Sequence, residues 1–84
     1  TKLLAIKFGG MGVTVNAIAP GPYESKMTAG WLKDDVRKGI EDANPMRRIG
    51  YPTDMGGLAL FLASPAGNYI NGAVIPTDGG MHML

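Results

Sequence analysis

The sequence predicts an α/β fold in which parallel strands alternate with helices. Three observations predict it: the chain opens on a helical pattern, short apolar runs lie far apart at residues 13–19 and 73–75, and two helical patterns separate them. The resulting order is helix, strand, helix, helix, strand. A strand, a helical crossover and a second strand form a βαβ unit. We therefore expect the two strands to lie parallel, side by side or nearly so, with a right-handed connection.

The chain is organised around residues 13–25, where the first apolar run meets a rigid loop. A strand covered on both faces, as parallel strands are, is predicted by three β-branched residues, Val13, Val15 and Ile18. Pro20-Gly21-Pro22 then ends the strand, because prolines lack an N–H donor. We expect the N–H groups of Gly21 and Tyr23 to be available to a ligand at this edge of the sheet. A plain strand end at a Pro-Gly turn is the alternative.

Residues 1–8 read as a helix already under way, because no capping signal precedes its apolar residues. We therefore expect the chain to begin in mid-helix. The glycines that follow, Gly9, Gly10 and Gly12, predict the end of this helix. A phosphate-binding glycine loop would follow a strand and open a helix, so the order of elements argues against that function.

A short amphipathic helix is predicted beyond Ser25, because apolar residues recur every four positions at Leu32, Val36 and Ile40. Large apolar side chains flank this helix on segments framed by glycine and proline: Met27, Trp31 and Met46. These side chains either belong to an ordinary core or form the wall of a substrate pocket.

The last helix is predicted to begin at Pro52, with Asp54 favouring its positive end. It is apolar over more than one face, which is typical of a buried helix or of a subunit interface. Gly56 and Gly57 lie inside it, where glycine lowers helix stability. They therefore predict close approach by another element.

Composition limits the classes of function. The 84 residues form at most one small domain, and the absence of cysteine excludes disulfide frameworks and thiolate metal sites. The single histidine cannot form a metal site by itself, so we expect no metal. A net charge of +1 with dispersed lysine and arginine argues against nucleic acid and membrane surfaces as partners. The lack of cysteine fits a reducing, cytoplasmic setting, and no apolar run is long enough to span a membrane.

Five separated motifs follow one another along the chain: Val15-Asn16-Ala17-Ile18-Ala19-Pro20-Gly21, Gly50-Tyr51-Pro52, Phe61-Leu62-Ala63-Ser64, Tyr69-Ile70-Asn71-Gly72 and Asp78-Gly79-Gly80. In this order and spacing they resemble the C-terminal part of a short-chain dehydrogenase/reductase. The residues of these motifs are similar to those of the 3-oxoacyl-thioester reductase branch and of the sugar or polyol dehydrogenase branch. The resemblance implies the C-terminal portion of a Rossmann-type doubly wound parallel sheet, with residues 1–84 as a fragment of one domain and residues 26–49 as its substrate-loop region.

The resemblance also implies an oxidoreductase that uses NAD or NADP and transfers hydride between nicotinamide and a carbonyl or hydroxyl group of a small-molecule substrate. Backbone groups around Pro20, Gly21 and Tyr23 would hold the nicotinamide carboxamide. Ser25 would offer a hydroxyl to the cofactor. The family commonly has valine or isoleucine where Tyr23 stands and threonine where Ser25 stands. The residues implied to contact the substrate are Met27, Trp31 and Met46.

The family's glycine-rich phosphate loop, catalytic serine and Tyr-x-x-x-Lys pair have no counterpart here. None of the tyrosines has a lysine four residues later: Tyr23, Tyr51 and Tyr69. We therefore assign no catalytic residue, and expect the chain alone to be inactive and to need the N-terminal part of the same fold. We expect the complete protein to form a homo-oligomer. The alternative function is a non-catalytic assembly or binding module derived from that fold.

Overall fold

The structure, a computed structural model, describes residues 1–25, 30 and 32–84. In this part of the chain, helices and strands follow one another in the predicted order. The elements are α1 (Lys2–Gly9), β1 (Ala17–Pro20), α2 (Asp34–Ala43), α3 (Pro52–Ala63) and β2 (Val74–Thr77), with 3-10 turns at Pro65–Gly67 and Met81–Met83. Within these described ranges, no helix is long and apolar enough to cross a membrane.

β1 and β2 pair in parallel, which confirms the predicted arrangement of the two strands. The register brings Pro20 opposite Thr77. Asn16 supports this register from the start of β1, because its Nδ2 donates to the Ile70 carbonyl at 3.0 Å and its Oδ1 accepts from the Ala73 amide at 3.0 Å. The carboxyl ends of both strands therefore open onto the same edge of the sheet.

The prediction of a strand through residues 13–19, covered on both faces, is wrong in its extent and its burial. β1 begins at Ala17, Val13 is 47% exposed, and the last two residues of β1 are exposed. Before the strand, the Val15 amide donates to Asn71 Oδ1 at 2.9 Å. Parallel strands are covered on both faces only where helices pack on both sides of the sheet. No helix in the described part of the chain makes an extensive contact with β1.

The helix ends follow their sequence signals. Gly12, just beyond α1, has a φ of 79°, a conformation that glycine adopts at little cost. This confirms that the glycines end a helix. The second helix boundary predicted was the start of the last helix. α3 begins at Pro52, and Oδ2 of Asp54 accepts a hydrogen bond from the Tyr51 amide at 2.8 Å. The predicted start of the last helix is therefore confirmed as well.

The described residues enclose little core of their own. Their accessible surface is 5984 Å², whereas a folded monomer of this mass exposes about 4,800 Å². The radius of gyration is 15.5 Å, against about 12 Å for a compact domain of this length. Apolar side chains stand exposed on α1 and α3, among them Leu3 at 84% and Leu60 at 72%. The buried side chains are those of Ala5, Leu32, Asn44 and Ile49.

The close approach predicted at Gly56 and Gly57 is not found among the described residues. A Cβ atom placed on either glycine would meet nothing within 4 Å. Leu60 and Phe61, one turn further along the same side of α3, are 72% and 42% exposed. This apolar side of α3 is therefore uncovered.

Candidate cofactor and substrate site

The loop that follows β1, residues 21–25, is tied to the end of β2. The Gly21 amide donates to the Thr77 carbonyl at 3.2 Å, which completes the last pair of the β1–β2 ladder, Pro20 with Thr77. β1 ends at Pro20, which confirms that Pro20-Gly21-Pro22 ends the strand, but the prediction that Gly21 offers its N–H to a ligand is wrong. Proline removes only its own donor, and the next amide still faces the neighbouring strand. The two backbones are close: a Cβ on Gly21 would lie 2.9 Å from the Asp78 Cα.

On its other side, the same loop is tied to the segment that precedes α3. The Gly50 amide donates to the Pro22 carbonyl at 2.9 Å, and the Glu24 amide donates to the Gly50 carbonyl at 3.0 Å. Together these bonds form a parallel bridge between Tyr23 and Gly50. In such a bridge the peptide groups of Tyr23 itself point away from Gly50. The loop thus has one side bonded to Gly50, and the Tyr23 peptide groups point toward the opposite side.

The Tyr23 side chain extends from this loop to β2. Its hydroxyl shares a hydrogen bond of 2.5 Å with the Thr77 hydroxyl. Its ring lies against Gly50, since a Cβ there would be only 2.6 Å from a ring carbon. The resemblance gave no direction for this ring. The structure directs it toward β2 and across Gly50.

A pocket of about 190 Å³ opens beside this ring. It lies where the loop after β1, the segment between α2 and α3, and the turn after β2 converge. Both polar and apolar groups line it. The lining residues are Pro22, Tyr23, Asn44, Met46, Arg48, Gly50, Asp54, Thr77, Asp78 and Gly79.

Asn44 joins two walls of the pocket. Its side chain is nearly buried, at 3% exposure. Its Nδ2 donates to the Asp78 carbonyl at 2.9 Å, and its Oδ1 accepts from the Met46 amide at 2.8 Å. Gly79 packs directly on this amide, because a Cβ at Gly79 would lie 2.4 Å from Asn44 Oδ1. The turn after β2 and the segment after α2 are therefore fitted to each other.

Arg48 and Asp54 form an ion pair at the rim of the pocket. Two Arg48 nitrogens donate to the Asp54 carboxylate at 2.8 and 3.3 Å, and the Arg48 guanidinium lies 5.3 Å from the centre of the Tyr51 ring. The Arg48 hydrogen bond holds the pKa of Asp54 below its ordinary value, and the Tyr51 amide acts in the same direction. The positive charge of Arg48 is thereby matched within the site.

This ion pair predicts a pH dependence of stability. Because the pKa of Asp54 is lowered in the folded protein, its contribution is present above the ordinary carboxyl pKa and is lost as the pH falls through the lowered value, below about pH 4. Replacing Asp54 with asparagine should make the acid limb of the stability profile shallower. Urea midpoints of the complete protein between pH 3 and 7 would measure this. Asp42→Asn, on the exposed face of α2, is the matched control. An unchanged acid limb in Asp54→Asn would contradict the prediction.

Asp78 stabilises the turn that follows β2. Its carboxylate accepts from the Gly80 amide at 2.9 Å and the His82 amide at 3.0 Å, and His82 Nδ1 lies 3.0 Å from Oδ1. The His82 side chain lowers the pKa of Asp78, and the Gly80 amide adds to this effect. The carboxylate is thus engaged with its own turn, while the Asp78 backbone carbonyl reaches Asn44.

The structure brings together some of the predicted site residues. Tyr23 and Met46 line the same pocket, and Met46 is 58% exposed there. Pro20 and Ser25 lie at the two ends of the loop and are exposed. The predicted substrate contacts Met27 and Trp31 lie outside the described residues.

Five pocket residues with polar side chains were not among the predicted site residues: Asn44, Arg48, Asp54, Thr77 and Asp78. Asp54 and Asp78 were interpreted only as helix-start and turn residues. The signal that could have found the others is their position beside Pro45, Gly50 and Gly79, where the chain changes direction near the ends of elements.

Comparison with known proteins agrees with this geometry. A parallel pair with a loop at its carboxyl edge defines the class of α/β proteins that bind ligands at that edge. The family model described as Enoyl-(Acyl carrier protein) reductase matches residues 1–82. The chain therefore belongs to the short-chain dehydrogenase/reductase family.

Two curated relatives illustrate the similarity. Galactitol 2-dehydrogenase (L-tagatose-forming) from Cereibacter sphaeroides is 42% identical over 81 residues, which cover 95% of this chain and 32% of that protein. The rhamnolipids biosynthesis 3-oxoacyl-(acyl-carrier-protein) reductase from Pseudomonas aeruginosa is 42% identical over 84 residues, which cover 99% of this chain and 33% of that protein. The chain thus spans about a third of the length of these curated relatives.

A solved structure shares the fold. The RhlG/NADP active-site complex from Pseudomonas aeruginosa superposes with a TM-score of 0.87 and 41% identity, over 96% of this chain and 33% of that one. The predicted fold class, a C-terminal portion of a Rossmann-type parallel sheet, is confirmed.

Proposed function

We propose that this chain is the C-terminal third of an NAD(P)-dependent short-chain oxidoreductase. The complete enzyme transfers hydride between nicotinamide and a carbonyl or hydroxyl group of a small molecule. Family membership supports this proposal, as do relatives named as a polyol dehydrogenase and a 3-oxoacyl reductase and the NADP complex of RhlG. We assign residues 1–84 to one domain and residues 26–49 to its substrate loop. We also propose a cytoplasmic setting, which the absence of cysteine supports.

The observation that carries the proposal is the loop of residues 21–25. It leaves the carboxyl end of β1, is bonded to β2 and to Gly50, and borders a pocket. Open parallel sheets bind their ligands at this edge. The loop therefore has the position, and the rigidity, that a nicotinamide-binding loop requires.

The groups on this loop suit a carboxamide. A carboxamide offers one carbonyl acceptor and one NH₂ donor, which peptide groups complement. We assign this contact to the peptide groups around Pro20, Gly21 and Tyr23, with Ser25 contributing its hydroxyl. The Gly21 amide donates to Thr77, so the contact would be made by the other peptide groups of this loop. When bound, the nicotinamide supplies the hydride chemistry, and this chain holds and orients its ring.

We assign the substrate contact to Met27, Trp31 and Met46. The exposed Met46 side chain at the pocket supports this assignment, because an apolar wall shields a reacting carbonyl group from water. Arg48 is paired with Asp54, which argues against a site in which an unpaired Arg48 binds an anionic group of the substrate. A neutral carbonyl or alcohol group is therefore the substrate chemistry that we propose.

The uncovered apolar surfaces of α1 and α3 support two further assignments. In the complete enzyme, we propose that the N-terminal part of the fold and a second copy cover these faces, so that the protein is a homo-oligomer. The same exposure favours the alternative function, a non-catalytic assembly module, since exposed Leu3 and Leu60 would suit a partner surface.

Intact mass and cofactor binding test the proposal. We expect the polypeptide purified from its natural source to exceed the mass of these 84 residues, and the complete protein to bind NADH or NADPH. The 84-residue chain by itself should bind neither cofactor measurably, because it lacks the phosphate loop. Isothermal titration calorimetry of both forms would measure this difference.

The outcomes separate the two functions. An intact mass equal to 84 residues, together with a chain that forms a defined oligomer and binds no cofactor, would establish the assembly module instead. Tight cofactor binding by the 84-residue chain alone would contradict our assignment, in which this chain supplies only the nicotinamide side of the cofactor site.

A further inference from the structure

Three segments of the chain meet at one side chain. Tyr23 lies in the loop after β1, its hydroxyl bonds the Thr77 hydroxyl at the end of β2, and its ring packs on Gly50 before α3. The backbone on either side of Tyr23 is bonded to Gly50 as well. The loop is therefore held by backbone bonds to Thr77 and Gly50, and by the Tyr23 side chain across its face.

These two kinds of contact constrain different motions. The backbone bonds of Gly21 to Thr77 and of the loop to Gly50 fix where the loop runs. The Tyr23 hydroxyl reaches the Thr77 hydroxyl, away from the backbone of the loop. A contact at this distance from the backbone opposes rotation of the loop, so it adds to the backbone bonds in setting the direction of the loop's peptide groups.

We infer that Tyr23 is a positioning residue for hydride transfer: its hydroxyl on Thr77 and its ring on Gly50 orient the loop whose peptide groups we assign to the nicotinamide carboxamide. This inference rests on the proposed function. It goes beyond it by assigning a role to the Tyr23 side chain, where the resemblance had implied only backbone contacts.

The role has a kinetic signature. The phosphate-binding part of the site belongs to the remainder of the fold, so overall cofactor affinity depends little on the Tyr23 hydroxyl. The orientation of the nicotinamide ring depends on it directly, and small misplacements of a reacting group lower rates steeply. A positioning role therefore changes the rate and the surroundings of the bound ring, and leaves the dissociation constant nearly unchanged.

The experiment uses the complete protein and NADPH as the probe. Tyr23→Phe, Thr77→Val and the double variant each remove the same hydrogen bond. Three readouts are taken: the NADPH dissociation constant, the fluorescence of bound NADPH at saturation, and kcat with galactitol and NAD⁺ or with acetoacetyl-CoA and NADPH. Tyr69→Phe is the matched control, because Tyr69 is fully exposed.

We expect Tyr23→Phe to shift the emission of bound NADPH toward that of the cofactor in water, and to lower kcat about tenfold on whichever probe is turned over. The dissociation constant should change by less than about twofold. Thr77→Val should reproduce both effects, and the double variant should be no worse than either single variant, because one bond is removed in all three.

Emission and rate equal to those of Tyr69→Phe would overturn the inference, as would additive effects of the two substitutions. Lower thermal stability with unchanged emission and rate would overturn it too, because it would mean that the bond is only structural. A wild-type protein that binds no nicotinamide cofactor would overturn the proposed function and this inference together.

Discussion

Gly79→Ala is expected to destabilise the complete protein by about 3 kcal/mol or more, from backbone strain together with lost hydrogen bonds. Gly79 has a φ of 67°, in the left-handed region that alanine adopts at a cost. The new Cβ would also lie 2.4 Å from Asn44 Oδ1. Asn44 is nearly buried, so its displacement would leave the Met46 amide and the Asp78 carbonyl without their partner.

Urea unfolding of the two proteins would measure this loss. Gly12→Ala is the matched control, because Gly12 has a similar φ of 79° and a Cβ there would meet nothing within 4 Å. We expect Gly12→Ala to lose only the free energy of the backbone strain, about 1–2 kcal/mol. Equal losses in the two variants would contradict the proposed fit between Gly79 and Asn44.

Gly50→Ala is expected to cost about 1–3 kcal/mol, the range for inserting a methyl group into a closely packed contact. The added Cβ would lie between 2.6 and 2.8 Å from three carbons of the Tyr23 ring. The ring cannot withdraw without losing its hydrogen bond to Thr77. We therefore expect this substitution to lower enzymatic activity as well as stability.

A second substitution tests this cause. Tyr23→Val shortens the side chain, so the double variant Tyr23→Val/Gly50→Ala should be more stable than Gly50→Ala alone. Gly10→Ala is the control for glycine replacement, because a Cβ at Gly10 would meet nothing within 4 Å. A double variant less stable than both single variants would show that Gly50 is needed for another reason.

The arrangement of elements could be predicted because its signals are local. Proline at the first turn of α3 and glycine after α1 act through their own backbone conformations, so Pro52 and Gly12 identified helix boundaries correctly. The parallel relation of the strands followed from the long helical segment between them. The burial of residues 13–19 could not be predicted correctly. It depends on helices packing against this segment, and in the described part of the chain Val13 remains exposed.

The candidate site was predicted only in part, for a related reason. The sequence identified the loop but not its partners, because the bond from Tyr23 to Thr77 joins residues 54 positions apart and the bond from Asn44 to Asp78 joins residues 34 positions apart. Such contacts depend on how three segments converge. The Gly21 amide was misassigned because Pro20 removes its own donor without turning the next residue away from β2.

The parallel pairing of β1 with β2 has a consequence during synthesis. Asn16 and its partner Ala73 are 57 positions apart. At roughly 5–20 residues per second, about 3–11 seconds pass between the emergence of one strand and that of the other. During this interval the β1 edge has no partner, and an unpaired edge invites pairing with another chain. β2 closes this edge when it emerges, because the Ala17 and Gly21 amides then donate to the Ala73 and Thr77 carbonyls.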